Sequence, residues 1–171
     1  DAQESRGLGD VYKRQRRHPA LRVSYQASSA HADLIGDRLD LAIRVGMLAD
    51  SSYRATPIGQ FKLVIVASPA LLAEHGAPRT LEALAAMPWL ANRPGRRAQW
   101  RLTDGRGREH ALRVAPVAHA DTASALLAFA EAGCGVAALP DWLLEEPLAR
   151  GRLQRVLPTM SLPPQPVYAV Y

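Results

Sequence analysis

The chain has 171 residues, 48% hydrophobic and 22% charged, which are ordinary values for one domain or two small lobes with a real core. No apolar run approaches the roughly 18 residues that a bilayer span needs. No secretory signal opens the chain, so a cytoplasmic protein without membrane contact is expected. The single cysteine, Cys134, cannot form an internal disulfide, which fits a reducing compartment among others. A net charge of +5 suggests nucleic acid until it is divided by segment. Residues 1–20 carry +2, residues 21–91 are neutral and residues 114–171 carry −2. The excess sits in residues 92–113, where Arg93, Arg96, Arg97, Arg101, Arg106, Arg108 and Arg113 face only Asp104 and Glu109. With 19 Arg, 2 Lys and 30 Ala, part of that arginine content reflects a GC-rich genome.

Residues 1–15 show neither helical nor strand periodicity and are expected to be a non-native or disordered lead, with order beginning near Pro19. Leu21, Val23 and Tyr25 alternate with polar residues as in a half-buried strand. Ser28 and Ser29 offer a cap for a helix over 30–38 with Leu34 and Ile35 inward. Residues 41–46 read as a second strand, too apolar for a wet face. Strand, helix and strand in this order point to a parallel βαβ unit. Pro57 and Gly59 interrupt the extended stretch 53–67, which argues for a strand that bends or passes between lobes. Ser68-Pro69 starts a helix that ends at Gly76, and Thr80 caps another with Glu82 in its first turn. Trp89–Ala91 is a short strand, and 99–102 with 111–114 form a hairpin around Asp104-Gly105-Arg106-Gly107. A short strand near 117–120 leads to Asp121-Thr122, which cap a helix burying Leu126, Leu127, Phe129 and Ala130. Gly133 and Gly135 end that helix, and 136–139 is a buried strand. Asp141 begins a helix carrying Trp142, Leu143, Leu144 and Leu148, closed by Gly151. Residues 153–157 are extended, and a proline-stiffened connector precedes the last strand, 167–171.

Several of these runs together resemble the ligand-binding domain of LysR-type transcriptional regulators. They are His18–Val23, Asp40-Leu41-Ala42-Ile43-Arg44-Val45-Gly46, Val66–Gly76, Ala132-Gly133-Cys134-Gly135-Val136-Ala137-Ala138-Leu139-Pro140 and Pro166–Tyr171. The resemblance covers residues 18–171 and implies an α/β fold like the type 2 periplasmic binding proteins. Such a fold has two Rossmann-like lobes, two crossing strands and an effector in the cleft between them. On that mapping the crossings fall near 59–62 and 161–165. Lobe I is then 16–60 with 163–171, incomplete at both ends, and lobe II is 61–162. Expected partners are a small-molecule effector and further copies of the chain, as a dimer or tetramer. DNA is expected only through a helix-turn-helix region that this sequence does not contain. A solute-binding protein of a transport system is the alternative on the same fold.

The catalytic search is short. His18, His31, His75, His110 and His119 lack metal-ligand spacing, and Cys134 lacks a CxxC partner. No GxSxG, Walker or GxGxxG pattern occurs, so no enzyme, cofactor or metal is expected. Gly133-Cys134-Gly135 reads as a small core residue at a helix stop. Effector contacts are expected where strands give way to helices, because free N–H groups of first turns point into such clefts. The candidates are Ser28, Ser29, Arg44, Gly46, Ser68, Asp121, Thr122, Ser124 and Pro140. Capping and ligand binding use the same atoms, so both roles stay open for the hydroxyl residues. For Arg44 an ion pair with Asp40 or Asp50 competes with an effector contact. The arginines of 93–113 read as a solvated hairpin face, with an auxiliary DNA contact as the alternative.

Overall fold

Leu63 to Ala67 is an unbroken apolar run, and such a run is stable as a strand only when both of its faces are covered. Here it is the central strand of the best-buried sheet. The structure, a computed structural model, describes residues 13, 16–24, 26, 34, 36, 38–46, 53–92, 95 and 98–171. The chain divides into two compact units, residues 1–31 and 32–171. In the first unit Lys13, Arg16 and Arg17 are helical, so helical backbone precedes Pro19, where the sequence reading starts its order. Residues 21–24 form no strand, and Leu21 and Val23 are exposed. The expected strand there is therefore not seen, and Tyr25, its third apolar residue, lies outside the described residues. Most of the helix expected over 30–38 also lies outside them. Leu34 is buried, but residues 34, 36 and 38 are turn.

The second unit contains ten strands and four helices among its described residues. They are β1 (Ala42–Val45), β2 (Ala55–Phe61), β3 (Leu63–Ala67), α1 (Pro69–His75), α2 (Leu81–Ala86), β4 (Trp89–Ala91), β5 (Ala98–Thr103) and β6 (Glu109–Val114). Then follow β7 (Pro116–His119), α3 (Ala123–Glu131), β8 (Ala137–Pro140), a single 3-10 turn (Asp141–Leu143), α4 (Glu145–Ala149), β9 (Gln154–Arg155) and β10 (Gln165–Val170). One sheet has the order β1-β10-β2, antiparallel throughout, with Ala42 opposite Val170 and Phe61 opposite Gln165. The parallel pairing expected of residues 41–46 is replaced by this antiparallel one. The other sheet has the order β8-β3-β9, with β3 antiparallel to both neighbours. A parallel bridge from Trp89 to Val136 attaches β4 to it, and β7 pairs parallel with β4. Strands β4, β7 and β8 thus run one way and β3 the other.

Side chains alternate across this second sheet and build a core on each face. Ile65, Ala67, Trp89, Val136, Leu102 and Leu112 share one cluster, and Val66, Leu90, Ala137, Leu139, Leu126 and Ala130 share the other. Both clusters are drawn entirely from residues between 63 and 162. The ring N–H of the fully buried Trp89 donates to the Leu84 carbonyl at 2.8 Å, so this large side chain buries no unpaired donor. The hairpin falls where the sequence places it, with Trp100 opposite Leu112 and Thr103 opposite Glu109.

Three burial expectations are corrected. Leu41, Ile43 and Val45 are 51%, 58% and 54% exposed, so this face of residues 41–45 is only partly covered. Phe129 is exposed as well. Trp142 belongs to the 3-10 turn, which Leu144 separates from α4, and not to one continuous helix. Cys134 is exposed, not a core residue. Its N–H donates to the Phe129 carbonyl at 3.0 Å, while the Gly133 N–H donates to Ala130 at 3.1 Å. That pair is a Schellman closure with Gly133 at φ +79, which spends the last carbonyls of α3 and turns the thiol outward.

Candidate functional site

Only Lys62 separates β2 from β3, so the chain passes directly from one sheet into the other at that residue. The return passes from Ser161, which bridges to Thr103, through a proline-rich stretch to Gln165 opposite Phe61. The crossing end of each sheet can therefore be identified from register. In the second sheet it is the end where Leu63 faces Pro140. Strands β4, β7 and β8 are parallel, so their carboxyl ends at Ala91, His119 and Pro140 all lie there. In the first sheet the Gly46 N–H donates to the Pro166 carbonyl at 2.9 Å, which sets Gly46 beside the start of β10. Gly46 takes a φ of +90, a conformation that costs a side-chain residue roughly 1–2 kcal/mol.

The predicted residues divide on this geometry. Asp121, Thr122, Ser124 and Pro140 come together at the crossing end of the second sheet, and Arg44 and Gly46 lie toward the crossing end of the first. Thr122, not Asp121, is the cap. Its Oγ1 accepts the Ala125 N–H at 3.2 Å and the Ser124 hydroxyl at 3.3 Å. With both accepted bonds in place, the hydroxyl proton of Thr122 remains available to donate. The amides of Ala123 and Ser124 belong to the first turn, where no earlier carbonyl of the helix can accept them. Asp121, Thr122 and Ser124 are exposed, whereas Pro140 is buried. Arg44 is half-buried, opposite Tyr168, and already engaged by a neighbouring group.

Ser68 does not join them. Because β3 is antiparallel to β8, its carboxyl end lies where β8 begins, at the far end of the sheet. Ser68 is 2% exposed, and its Oγ accepts the Leu71 N–H at 3.2 Å, so it serves as the cap of α1 and packs near Gly133. Ser28 and Ser29 lie outside the described residues, as does Asp50, one of the two carboxylates expected to pair with Arg44. A shallow cavity of about 340 Å³ is lined by Leu72, Pro78, Arg79, Arg155 and Leu157. It lies beside β9, which pairs with the far end of β3, and so is separate from the crossing end.

The sequence reading missed how the first crossing is fastened. The Asp141 N–H donates to the Lys62 carbonyl at 2.9 Å, and one carboxylate oxygen accepts the Lys62 and Trp142 amides at 3.4 and 3.0 Å. Phe61 and Trp142 pack edge to face at 6.5 Å. The signal was present as an aspartate after the last strand residue, but only register identifies Lys62 as its partner.

The model of the LysR substrate binding domain matches residues 12–171. This chain belongs to that family. The LysR substrate-binding chain is 33% identical over 138 residues to the HTH-type transcriptional regulator CrgA of Neisseria meningitidis serogroup C, covering 80% of this chain and 46% of CrgA. It is 35% identical over 159 residues to the HTH-type transcriptional regulator PtxR of Pseudomonas aeruginosa, covering 91% of this chain and 50% of PtxR. Among solved structures it superposes on the CrgA regulatory domain with a TM-score of 0.77 and 32% identity, covering 94% of this chain and 79% of that one. The full-length Vibrio cholerae virulence activator AphB matches with a TM-score of 0.80 and 27% identity, covering 96% and 56%. The LysR substrate-binding chain thus spans about half the length of the curated relatives it matches. Its fold class is that of these regulatory domains: α/β and type 2 periplasmic-binding-protein-like. No helix among its described residues is long and apolar enough to cross a membrane.

Proposed function

We propose that the chain is the effector-binding domain of a bacterial LysR-type transcriptional regulator, taking a small polar or anionic molecule between the β1-β10-β2 sheet and residues 61–162. The family match over residues 12–171 carries the role. Relatives named as transcriptional regulators favour it over the transport alternative and over an enzyme. The chemical class of effector follows from the start of α3. A helix N-terminus favours negative charge by about 0.3–1 kcal/mol when exposed, and Thr122 adds a hydroxyl proton beside the two first-turn amides. Asp121 faces the same opening and penalises multiply charged ligands, which favours a single carboxylate. Arg44 and Gly46 line the opposite side. Closure of the two parts on the effector then shifts the geometry of a dimeric or tetrameric regulator on DNA, the DNA being held by another part of the protein.

A panel of small monocarboxylates tests this by thermal shift and calorimetry. An effector at 100 times its Kd stabilises the chain by about 2.7 kcal/mol. Thr122→Val should then weaken that ligand by roughly 3- to 10-fold, the loss of one hydrogen bond at nearly constant shape. Unchanged affinity with a lowered melting temperature would leave Thr122 as a helix cap alone and remove α3 from the site.

A further inference from the structure

We propose that the outer face of the β5–β6 hairpin is a contact surface for the phosphate backbone of duplex DNA, with Arg101, Arg106 and Arg113 as its cations. Register places Gln99, Arg101 and Thr103 on one face with Glu109, Ala111 and Arg113, while Trp100, Leu102, Leu112 and Val114 point into the core. Arg101 and Arg113 are diagonal neighbours on that face, and Arg106 sits at the connecting turn. All three are exposed. Asp104, which would offset them, is turned inward. Its side chain is 15% exposed and accepts from the Arg106 and Arg108 amides, the Arg108 guanidinium and His110. Arg101 meets Glu109 only at 3.6 Å, with both side chains mostly exposed, a contact that a phosphate can replace. Neither Arg106 nor Arg113 enters an ion pair among the described residues.

The rest of the face decides the partner. Its one nearby indole, Trp100, packs inward 6.3 Å from Trp89. The surface therefore has no platform for stacking single-stranded bases. Gln99, Glu109 and Ala111 are its other exposed members, so it also lacks the apolar anchors of a protein interface. A flat arginine face without base-reading elements suits duplex phosphates, whose contacts position without specifying sequence. The choice of duplex DNA rests on the regulator reading above. The charge geometry itself does not depend on any effector.

Binding of the 171-residue chain to a labelled random-sequence duplex, followed by fluorescence anisotropy across a salt series, tests the proposal. Weak, sequence-independent binding is expected. The slope of log affinity against log salt should fall by about 0.9 for each arginine that holds a phosphate. Arg101→Gln/Arg106→Gln/Arg113→Gln should therefore flatten it by roughly 2 to 3. Arg22→Gln/Arg79→Gln/Arg155→Gln removes the same charge from exposed sites elsewhere and should change it far less. The single variant Arg113→Gln, at an exposed site without an ion pair, repeats the test should the triple variant fold poorly. An equal loss in both triple variants, or no loss in either, overturns the proposal. Competition by poly-glutamate as strong as by duplex at the same salt also overturns it, in favour of an acidic protein. All arms run without effector, so their outcome is separate from that of the monocarboxylate screen.

Discussion

Gly135 illustrates how much one hydrogen atom in place of a methyl group decides. A Cβ built there would lie 2.9 Å from the Pro88 carbonyl oxygen and 3.1 Å from Leu90 Cγ. That same carbonyl accepts the Val136 N–H at 2.8 Å, within the parallel bridge that attaches β4 to β8. Gly135→Ala must push backbone, not a flexible side chain, and should cost about 1–3 kcal/mol as overpacking does elsewhere. Urea denaturation checks this, with a lowered midpoint and an unchanged slope expected. Gly133 differs in kind, since its constraint is a φ of +79 and its Cβ would meet only Ser68 Oγ at 3.4 Å. Both glycines could be read from the sequence as helix stops. That Gly135 also answers to Pro88 could not, because 47 positions separate the two.

Among the elements, the β5–β6 hairpin is set by its turn. Asp104 closes the loop through the amides of Arg106 and Arg108 at 2.9 Å each, the side chain standing in for backbone acceptors. The Arg108 amide, followed by His110, holds the Asp104 carboxyl well below its ordinary value of 3.8. A depressed carboxylate pKa in the folded state contributes stability above the unfolded pKa, and that stability is lost as pH falls below it. Wild-type protein should melt higher than Asp104→Asn by a constant margin between about pH 5 and 7, and the margin should shrink below about pH 4. A margin independent of pH would mean that the loop is held by shape and not by the ionised carboxylate. The hairpin and its turn were legible because antiparallel neighbours joined by a short loop depend on local residues. The 41–46 strand was legible only in its conformation. Its burial depended on partners that the local pattern does not name.

On the scale of the whole molecule the two sheets are unequally supported. Both core clusters lie between residues 63 and 162, while β1 leaves Leu41, Ile43 and Val45 about half exposed. Few buried contacts per strand mean low opening free energies. Native-state hydrogen exchange should therefore show stronger protection in β3, β8 and α3 than in β1. Equal or greater protection across 42–45 would require a covering element on β1 and would count against the unequal division.

Several features follow from the sequence alone. Local chemistry determined the caps at Ser68, Thr80 and Thr122, the Schellman glycine at 133, the hairpin around Asp104 and the apolar strands over 63–67 and 137–140. These depend on residues within one or two turns of each other, and the runs around Ser68 and Gly133 also carried the family resemblance. Tertiary structure alone decided which helix starts lie at the crossing end of the second sheet. Ser68-Pro69 and Thr122-Ala123 are the same kind of junction in sequence, yet β3 runs against β4, β7 and β8 and carries Ser68 to the opposite end of the sheet. Strand direction is a property of pairing, and nothing in a strand's own residues encodes it. Fastening of Lys62 by Asp141 has the same origin, since their hydrogen bonds span 79 positions and exist only once β8 has settled against β3.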